Sequence, residues 1–87
     1  MSEILDKLSQ EAQELKTKRD QLRVQLDLGR MEARDRWQKA EESWDELEEK
    51  LKVVAHETGE ALRDVGKSTK RVLEEIREHY REIRKLV

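Results

Sequence analysis

The 87-residue chain is 46% charged and 34% hydrophobic, carries a net charge of −2 and has only three aromatic residues. The absence of cysteine excludes disulfides, thiolate catalysis and cysteine-based zinc sites. The longest apolar run, 53–55, is far too short to span a membrane. Because the N-terminus lacks the basic and apolar regions of a signal peptide, a cytoplasmic protein is expected.

The first third of the chain has the apolar spacing of a coiled-coil helix. Its apolar positions step by about three and four residues in alternation: Leu5, Leu8, Ala12, Leu15, Leu22 and Leu26. Arg19 occupies one position of this heptad pattern as a charged interruption. Gly29 stands among strong helix formers, so this glycine need not end the helix.

A second heptad stretch follows after a slip in spacing between Leu26 and Trp37. It comprises Trp37, Ala40, Trp44, Leu47, Leu51 and Val54. The slip is a stutter, which locally unwinds a left-handed supercoil. Trp37 and Trp44 lie one heptad apart, and we interpret them as core anchors with small Ala33 and Ala40 leaving space for their rings.

Beyond Leu51 the apolar residues recur at a longer, eleven-residue interval. The series are Leu51, Leu62 and Leu73; Val54, Val65 and Ile76; Ala61, Val72 and Ile83; and Thr58, Thr69 and Tyr80. This interval corresponds to about 3.67 residues per turn, close to a straight helix. The C-terminal part is therefore predicted to be a straighter helix than the N-terminal part.

The stretch 58–69 has the lowest helix propensity in the chain because it holds two glycines, two threonines and a serine. A turn here would place Gly59 at the C′ position, or Gly66 at C′ with Ser68 as the next N-cap. The eleven-residue series runs through the same stretch without a break, which favours a continuous helix. These alternatives stay open from the sequence alone.

Three all-α architectures agree with these patterns. The favoured one is a self-associating antiparallel helical hairpin in a single coiled-coil domain, 1–87. It has a long helix over about 3–57, a turn within 58–67 and a helix over about 68–86. Such a turn sets the acidic stretch 41–49 against the basic stretch 75–83. The alternatives are a three-helix bundle that turns at Gly29 and Gly59, and one continuous helix of about 125 Å that pairs with a second chain.

In the hairpin, the leucines of the first third would form an exposed apolar stripe. Burial of each leucine is worth roughly 1.5–3 kcal/mol, so the stripe predicts a homodimer or higher homo-oligomer with the long helices antiparallel. The predicted association seam is Leu5, Leu8, Leu15, Leu22, Leu26, Trp37, Trp44, Leu47, Leu51, Val54, Leu62, Val65, Val72, Ile76, Tyr80 and Ile83.

No catalytic, cofactor or metal site is predicted. His56 and His79 lack the Glu-x-x-His and His-Glu-x-x-His spacings of helical metal sites. The sequence Gly66-Lys67-Ser68 resembles the end of a P-loop, but Ala61 stands where the first glycine is required. With little concave core to perturb the pKa of a carboxylate, an enzyme is not expected.

The charge pattern of the chain bears on two kinds of anionic partner, nucleic acid and a membrane surface. Nucleic-acid binding is not expected, because the C-terminal bases alternate with Glu74, Glu75, Glu78 and Glu82 and the pI is about 5.8. Binding of a membrane surface ranks second to protein association. Straight amphipathic repeats can lie on lipid, but the apolar stripe after 51 is narrow and lacks phenylalanine and tryptophan.

Four motifs give the chain a resemblance over about 26–86. They are RMEARDRW at 30–37, WDEL at 44–47, GEALRDVG at 59–66 and EIREHYREI at 75–83. In these the chain resembles small uncharacterised bacterial coiled-coil proteins, which implies a helical, oligomeric protein and no activity. The expected function is non-enzymatic: a structural or interaction protein that acts through coiled-coil self-association and scaffolds a partner. The alternative is a peripheral protein that binds lipid surfaces through an amphipathic helix.

Overall fold

The computed structural model describes residues 3–26 and 31–86, and they form three α-helices. Helix α1 spans Glu3–Leu26, α2 spans Met31–His56 and α3 spans Gly59–Leu86, with residues 57–58 linking the last two. The predicted all-α class is confirmed for these ranges, which contain no strand. Gly29, at which the bundle alternative places a turn, lies outside the described residues.

Helices α2 and α3 pack against each other in opposite directions. The Lys50 ammonium of α2 donates a hydrogen bond to the Ser68 hydroxyl at 2.7 Å, near the start of α3. At the other end, the Trp37 and Tyr80 rings stack with their centroids 6.1 Å apart. An early residue of one helix therefore meets a late residue of the other.

Helix α1 runs alongside α3 in the same direction. Near the start of both helices, a Cβ at Gly66 would lie 3.0 Å from the Ile4 side chain. Further along, Arg77 and Glu11 form an ion pair at 3.8 Å. Helix α2 is therefore antiparallel to both of the others.

The prediction of one long helix over about 3–57 is wrong, because α1 folds back and packs on α2 and α3. A continuous helix of that length would extend about 82 Å, whereas the longest extent of the molecule is 45 Å. Folding back lets α1 bury its leucines inside its own chain, at roughly 1.5–3 kcal/mol each. The single continuous helix is excluded for the same reason, and the three-helix alternative agrees with the structure.

Buried positions in all three helices follow steps of three and four residues. In α3 the buried residues include Gly66, Thr69, Leu73, Ile76, Tyr80 and Ile83. The eleven-residue series predicts burial less well, since Ala61 and Thr58 are exposed. Helices that pack together bury residues with matching spacing. Because α1 and α2 have the heptad spacing, the residues of α3 that contact them follow the same spacing.

The turn between α2 and α3 lies at 57–58, at the edge of the predicted range 58–67. Gly59 has a φ of 64°, the left-handed region that glycine adopts without penalty from a Cβ. The alternative turn at Gly66 with Ser68 as N-cap is wrong, because both residues lie inside α3. The predicted opposition of 41–49 and 75–83 is shifted accordingly, since Lys50 lies beside Ser68 and Trp37 beside Tyr80.

Local contacts explain why the stretch 58–69 is helical from Gly59 onward despite its low propensity. Gly66 is buried beside the Ile4 side chain of α1, so its small size serves helix packing rather than a turn. The fully buried Thr69 donates its hydroxyl to the Val65 carbonyl at 2.7 Å, so no polar group is left unpaired there. The small residues thus permit close packing of α1 and α3.

Candidate interaction surface

The leucine stripe of α1 is not an exposed surface. Leu8, Leu15 and Leu22 are buried, while Leu5 and Leu26 are partly buried. The expectation of an exposed stripe is therefore wrong, because α1 already faces α2 and α3 within one chain. Association with another molecule does not follow from these leucines.

Most of the predicted seam forms the core of a single chain. Its buried members in α2 and α3 are Trp44, Leu47, Val54, Val72, Ile76, Tyr80 and Ile83. The partly buried members that pack against this core are Leu5, Trp37, Leu51, Leu62 and Val65. Ala33 and Ala40 are fully buried, in agreement with the interpretation of the tryptophans as core anchors. Most residues of the predicted seam are therefore covered by helices of the same chain.

Arg19, the charged interruption of the α1 seam, has a specific partner on α2. Its guanidinium donates two hydrogen bonds to the Glu41 carboxylate, both at 2.7 Å, and its Cζ lies 5.3 Å from the centroid of the Trp44 ring. The hydrogen bond to Glu41 is the main cause of a raised pKa of Arg19. Arg19 is thus a structural link that the heptad pattern alone did not reveal.

Tyr80 is the most perturbed titratable group among the described residues. It is 3% exposed, and its hydroxyl oxygen has no hydrogen-bond partner among them. Burial raises the pKa of Tyr80 above its ordinary value, and the nearby Arg19 partly opposes this rise. Burial in the core is thus the main physical cause of the perturbation of Tyr80.

Two concave regions lie between α1 and α3, one near each end of the bundle. The cleft at the C-terminal ends has a volume of about 210 Å³ and is lined by Leu22, Tyr80 and two glutamines, with four bases: Lys18, Arg77, Arg81 and Arg84. No acid lines this cleft in the described part of the chain.

The groove at the N-terminal ends has a volume of about 250 Å³ and an apolar floor of Ile4, Leu8 and Gly66. It is lined by four further bases and one acid: Lys7, Arg63, Lys67, Lys70 and Glu11. The cleft and the groove together define the basic face of the molecule. Two of its bases have acidic partners: Arg77 pairs with Glu11, and Arg81 pairs with Glu78.

Four bases of this face recur every seven residues along α3: Arg63, Lys70, Arg77 and Arg84. We call them the basic stripe. Each base comes one position after a buried or partly buried residue of α3, which is about 100° around the helix. The basic stripe therefore lies beside the core, on the side of α1. The glutamates that alternate with these bases in the sequence are not among the residues that line the cleft or the groove, although Glu78 pairs with Arg81 at 3.5 Å.

The outer side of α2 is mostly acidic, with exposed Lys39 lying between two of its acids. Asp35, Glu42 and Glu49 are exposed and also recur every seven residues. We call them the acidic stripe. Each follows a buried residue by two positions, about 200° around the helix, so the stripe faces away from the core. Exposed Met31 and Val53 lie just beyond its two ends, with 81% and 44% of their surface accessible.

Comparison with known proteins finds no matching family model, no similar curated protein and no similar solved structure. Within residues 3–26 and 31–86, no helix is long and apolar enough to cross a membrane. Nor do three or more acidic or histidine side chains converge there in a metal-binding arrangement. The most distinctive surface features of the described chain are therefore the basic face and the acidic stripe.

Proposed function

We propose that this protein is a non-enzymatic structural or interaction protein whose basic face binds an acidic protein surface, in the cytoplasm. The observation that carries the proposal is that eight bases and one acid line the cleft and the groove between α1 and α3. Two of these bases, Arg77 and Arg81, have acidic partners, which leaves an excess of positive charge in a chain whose net charge is −2. Such segregation of charge directs association and selects partners of opposite sign.

The shape of the face favours a helical partner. Two parallel helices leave a furrow between them, and here the furrow has an apolar floor at one end and bases along its length. An amphipathic helix with acidic flanks would lie in this furrow as a fourth helix, with apolar contact on the floor and charge pairing at the rims. Self-association and scaffolding, which the sequence predicts, are proposed to use this surface in place of the buried leucines.

The test is binding of an acidic polypeptide, poly-glutamate, at low ionic strength. We expect binding by the natural protein and loss of binding when Arg63, Lys70 and Arg84 are all replaced by glutamate. The matched control replaces Lys16, Arg23 and Arg71 by glutamate. These three bases are exposed and do not line the cleft or the groove. It has the same net charge and should keep binding. An equal loss in both variants would show that only overall charge matters and would refute the proposal.

An anionic lipid surface is the second candidate, and the same basic face favours it. The exposed apolar side chains argue against it: Ile4 lies in the groove, Val24 on α1, and Met31 and Val53 on the outer side of α2, so they form no common surface for insertion. Co-sedimentation with phosphatidylserine vesicles tests it. Retention of the natural protein by vesicles but not by poly-glutamate would favour lipid over protein.

A further inference from the structure

We propose that the acidic partner of the basic face is a second copy of this chain, docked through its acidic stripe. This inference rests on the proposed function, since it names the occupant of the same face. The chain carries both surfaces, and they lie on different sides of one molecule. Each copy therefore offers one surface and accepts the other.

The two stripes have the same period. Consecutive members of each are seven residues apart, which is about 10.5 Å along a helix. Three acids spaced in this way can face three of the four bases at once, whereas a mismatched period would pair only one or two. Because both stripes drift around their helices by about 20° per heptad, two packed helices can keep this register by crossing at a shallow angle.

The direction of docking follows from the bundle. Because α1 and α3 are parallel, a docked α2 is favoured in the antiparallel direction, where its dipole opposes both neighbours. In that direction Glu49 of one copy faces Lys70 of the other, Glu42 faces Arg77 and Asp35 faces Arg84. The exposed Val53 then reaches the apolar groove at Ile4.

This contact joins unlike surfaces, so it is heterologous and does not form a symmetric two-fold dimer. Each added copy presents an acidic stripe or a basic face to the next, and the product is an open chain or a closed ring of copies. The outer side of α2 offers about 400 Å² to each contact, less than a stable interface needs. We expect weak, concentration-dependent association that disappears in about 0.5 M salt, where exposed charges are screened.

A charge-swap experiment tests the pairing. Variant A carries Lys70→Glu, Arg77→Glu and Arg84→Glu, the three bases of the proposed pairing, and variant B carries Asp35→Lys, Glu42→Lys and Glu49→Lys. Light scattering at millimolar concentration and low ionic strength should show the natural protein well above the monomer mass of 10.4 kDa. Each variant alone should stay monomeric, because the positions that pair in the proposed contact then carry the same sign. An equimolar mixture of A and B should assemble, because every A–B contact joins opposite charges.

The matched control for variant B carries Glu14→Lys, Asp64→Lys and Glu75→Lys, which are exposed acids outside the acidic stripe. It has the net charge of variant B and should still assemble. Circular dichroism on each variant confirms that the helices are intact. Failure of the A–B mixture to assemble, with both variants folded, would overturn the inference.

Cysteine capture tests the direction, because the natural chain has no cysteine. A mixture of Ile4→Cys and Val53→Cys proteins should form the mixed disulfide on mild oxidation. Val24→Cys is the control, since Val24 is 76% exposed and lies outside the proposed contact. Capture of Ile4→Cys by Met31→Cys in place of Val53→Cys would overturn the antiparallel direction.

The two proposals fail in different ways. A natural protein that binds poly-glutamate through the basic face but stays monomeric at millimolar concentration overturns the second copy as partner and leaves the proposed function intact. A protein that neither binds poly-glutamate nor assembles overturns both.

Discussion

The replacement Tyr80→Phe should stabilise the protein, because it removes a buried hydroxyl that has no partner among the described residues. An unpaired buried polar group costs about 1–3 kcal/mol. The ring that stacks on Trp37 is kept, so the packing of the core should not change. We expect the free energy of unfolding to rise by about 1 kcal/mol, which corresponds to a Tm increase of roughly 4–8 °C for a domain of this size.

The same hydroxyl predicts a pH dependence whose sign follows from its raised pKa. Below pH 10 the tyrosine is protonated in both the folded and the unfolded chain, so its ionisation does not affect stability. Above pH 10 the unfolded chain releases the proton while the folded chain keeps it, because burial disfavours the phenolate. Stability should therefore fall by about 1.4 kcal/mol per pH unit relative to Tyr80→Phe, until pH reaches the folded pKa.

Urea unfolding of both proteins at neutral pH and between pH 9 and 11 measures these effects. Lysine titration is common to both proteins, so the difference between them isolates the tyrosine. Tyr80 is the sole tyrosine, and the ultraviolet absorbance of tyrosinate reports its ionisation directly. A lower stability of Tyr80→Phe at neutral pH would refute the reasoning, since it would show that the hydroxyl makes a stabilising hydrogen bond. Titration of the folded protein near pH 10 would refute the predicted pKa shift.

Three further predictions concern the fold. A double-mutant cycle with Arg19→Met and Glu41→Gln should give a coupling energy of about 1 kcal/mol in urea unfolding, because the pair is bidentate and partly buried; additive effects would contradict this. Gly59→Ala should lower the free energy of unfolding by about 1 kcal/mol, because φ is 64° there, and an unchanged midpoint would place the residue outside the left-handed region. Leu47→Ala should lower the free energy of unfolding by roughly 2–5 kcal/mol, measured by thermal or urea unfolding, because Leu47 is fully buried. The exposed control Val24→Ala should change it by no more than about 0.5 kcal/mol, and equal effects of the two replacements would contradict the packing.

The helices of this protein are predictable from local pattern, because burial follows the same three-and-four spacing that the sequence displays. Leu8, Leu15 and Leu22 are placed correctly on one face of α1, and Trp44 and Leu47 on one face of α2. The same pattern cannot say which surface covers that face. A second copy and a neighbouring helix of the same chain present equivalent apolar seams, so the sequence alone does not distinguish hairpin dimer from three-helix bundle.

The low-propensity stretch misleads because glycine and threonine have two structural uses. Gly59 has a positive φ and serves the turn, whereas Gly66 lies inside α3 and lets α1 approach closely. Propensity counts both residues in the same way, as helix breakers. Only the tertiary contact of Gly66 with Ile4 separates them, and that contact depends on how α1 folds back.

The basic face is not apparent from the order of charges along the sequence, because glutamates separate its bases. Glu75 and Glu82 lie between the bases of α3 in the sequence, but about 100° per residue carries them away from the side that lines the α1–α3 furrow. Glu74 and Glu78 lie nearer to the bases, and Glu78 pairs with Arg81. Seven-residue spacing returns Arg77 and Arg84 to nearly the same side. The charged residues of a helix must therefore be compared by their position around the helix, as hydrophobic residues are. In this chain, whose net charge is near zero, that comparison gives one basic face and one acidic stripe.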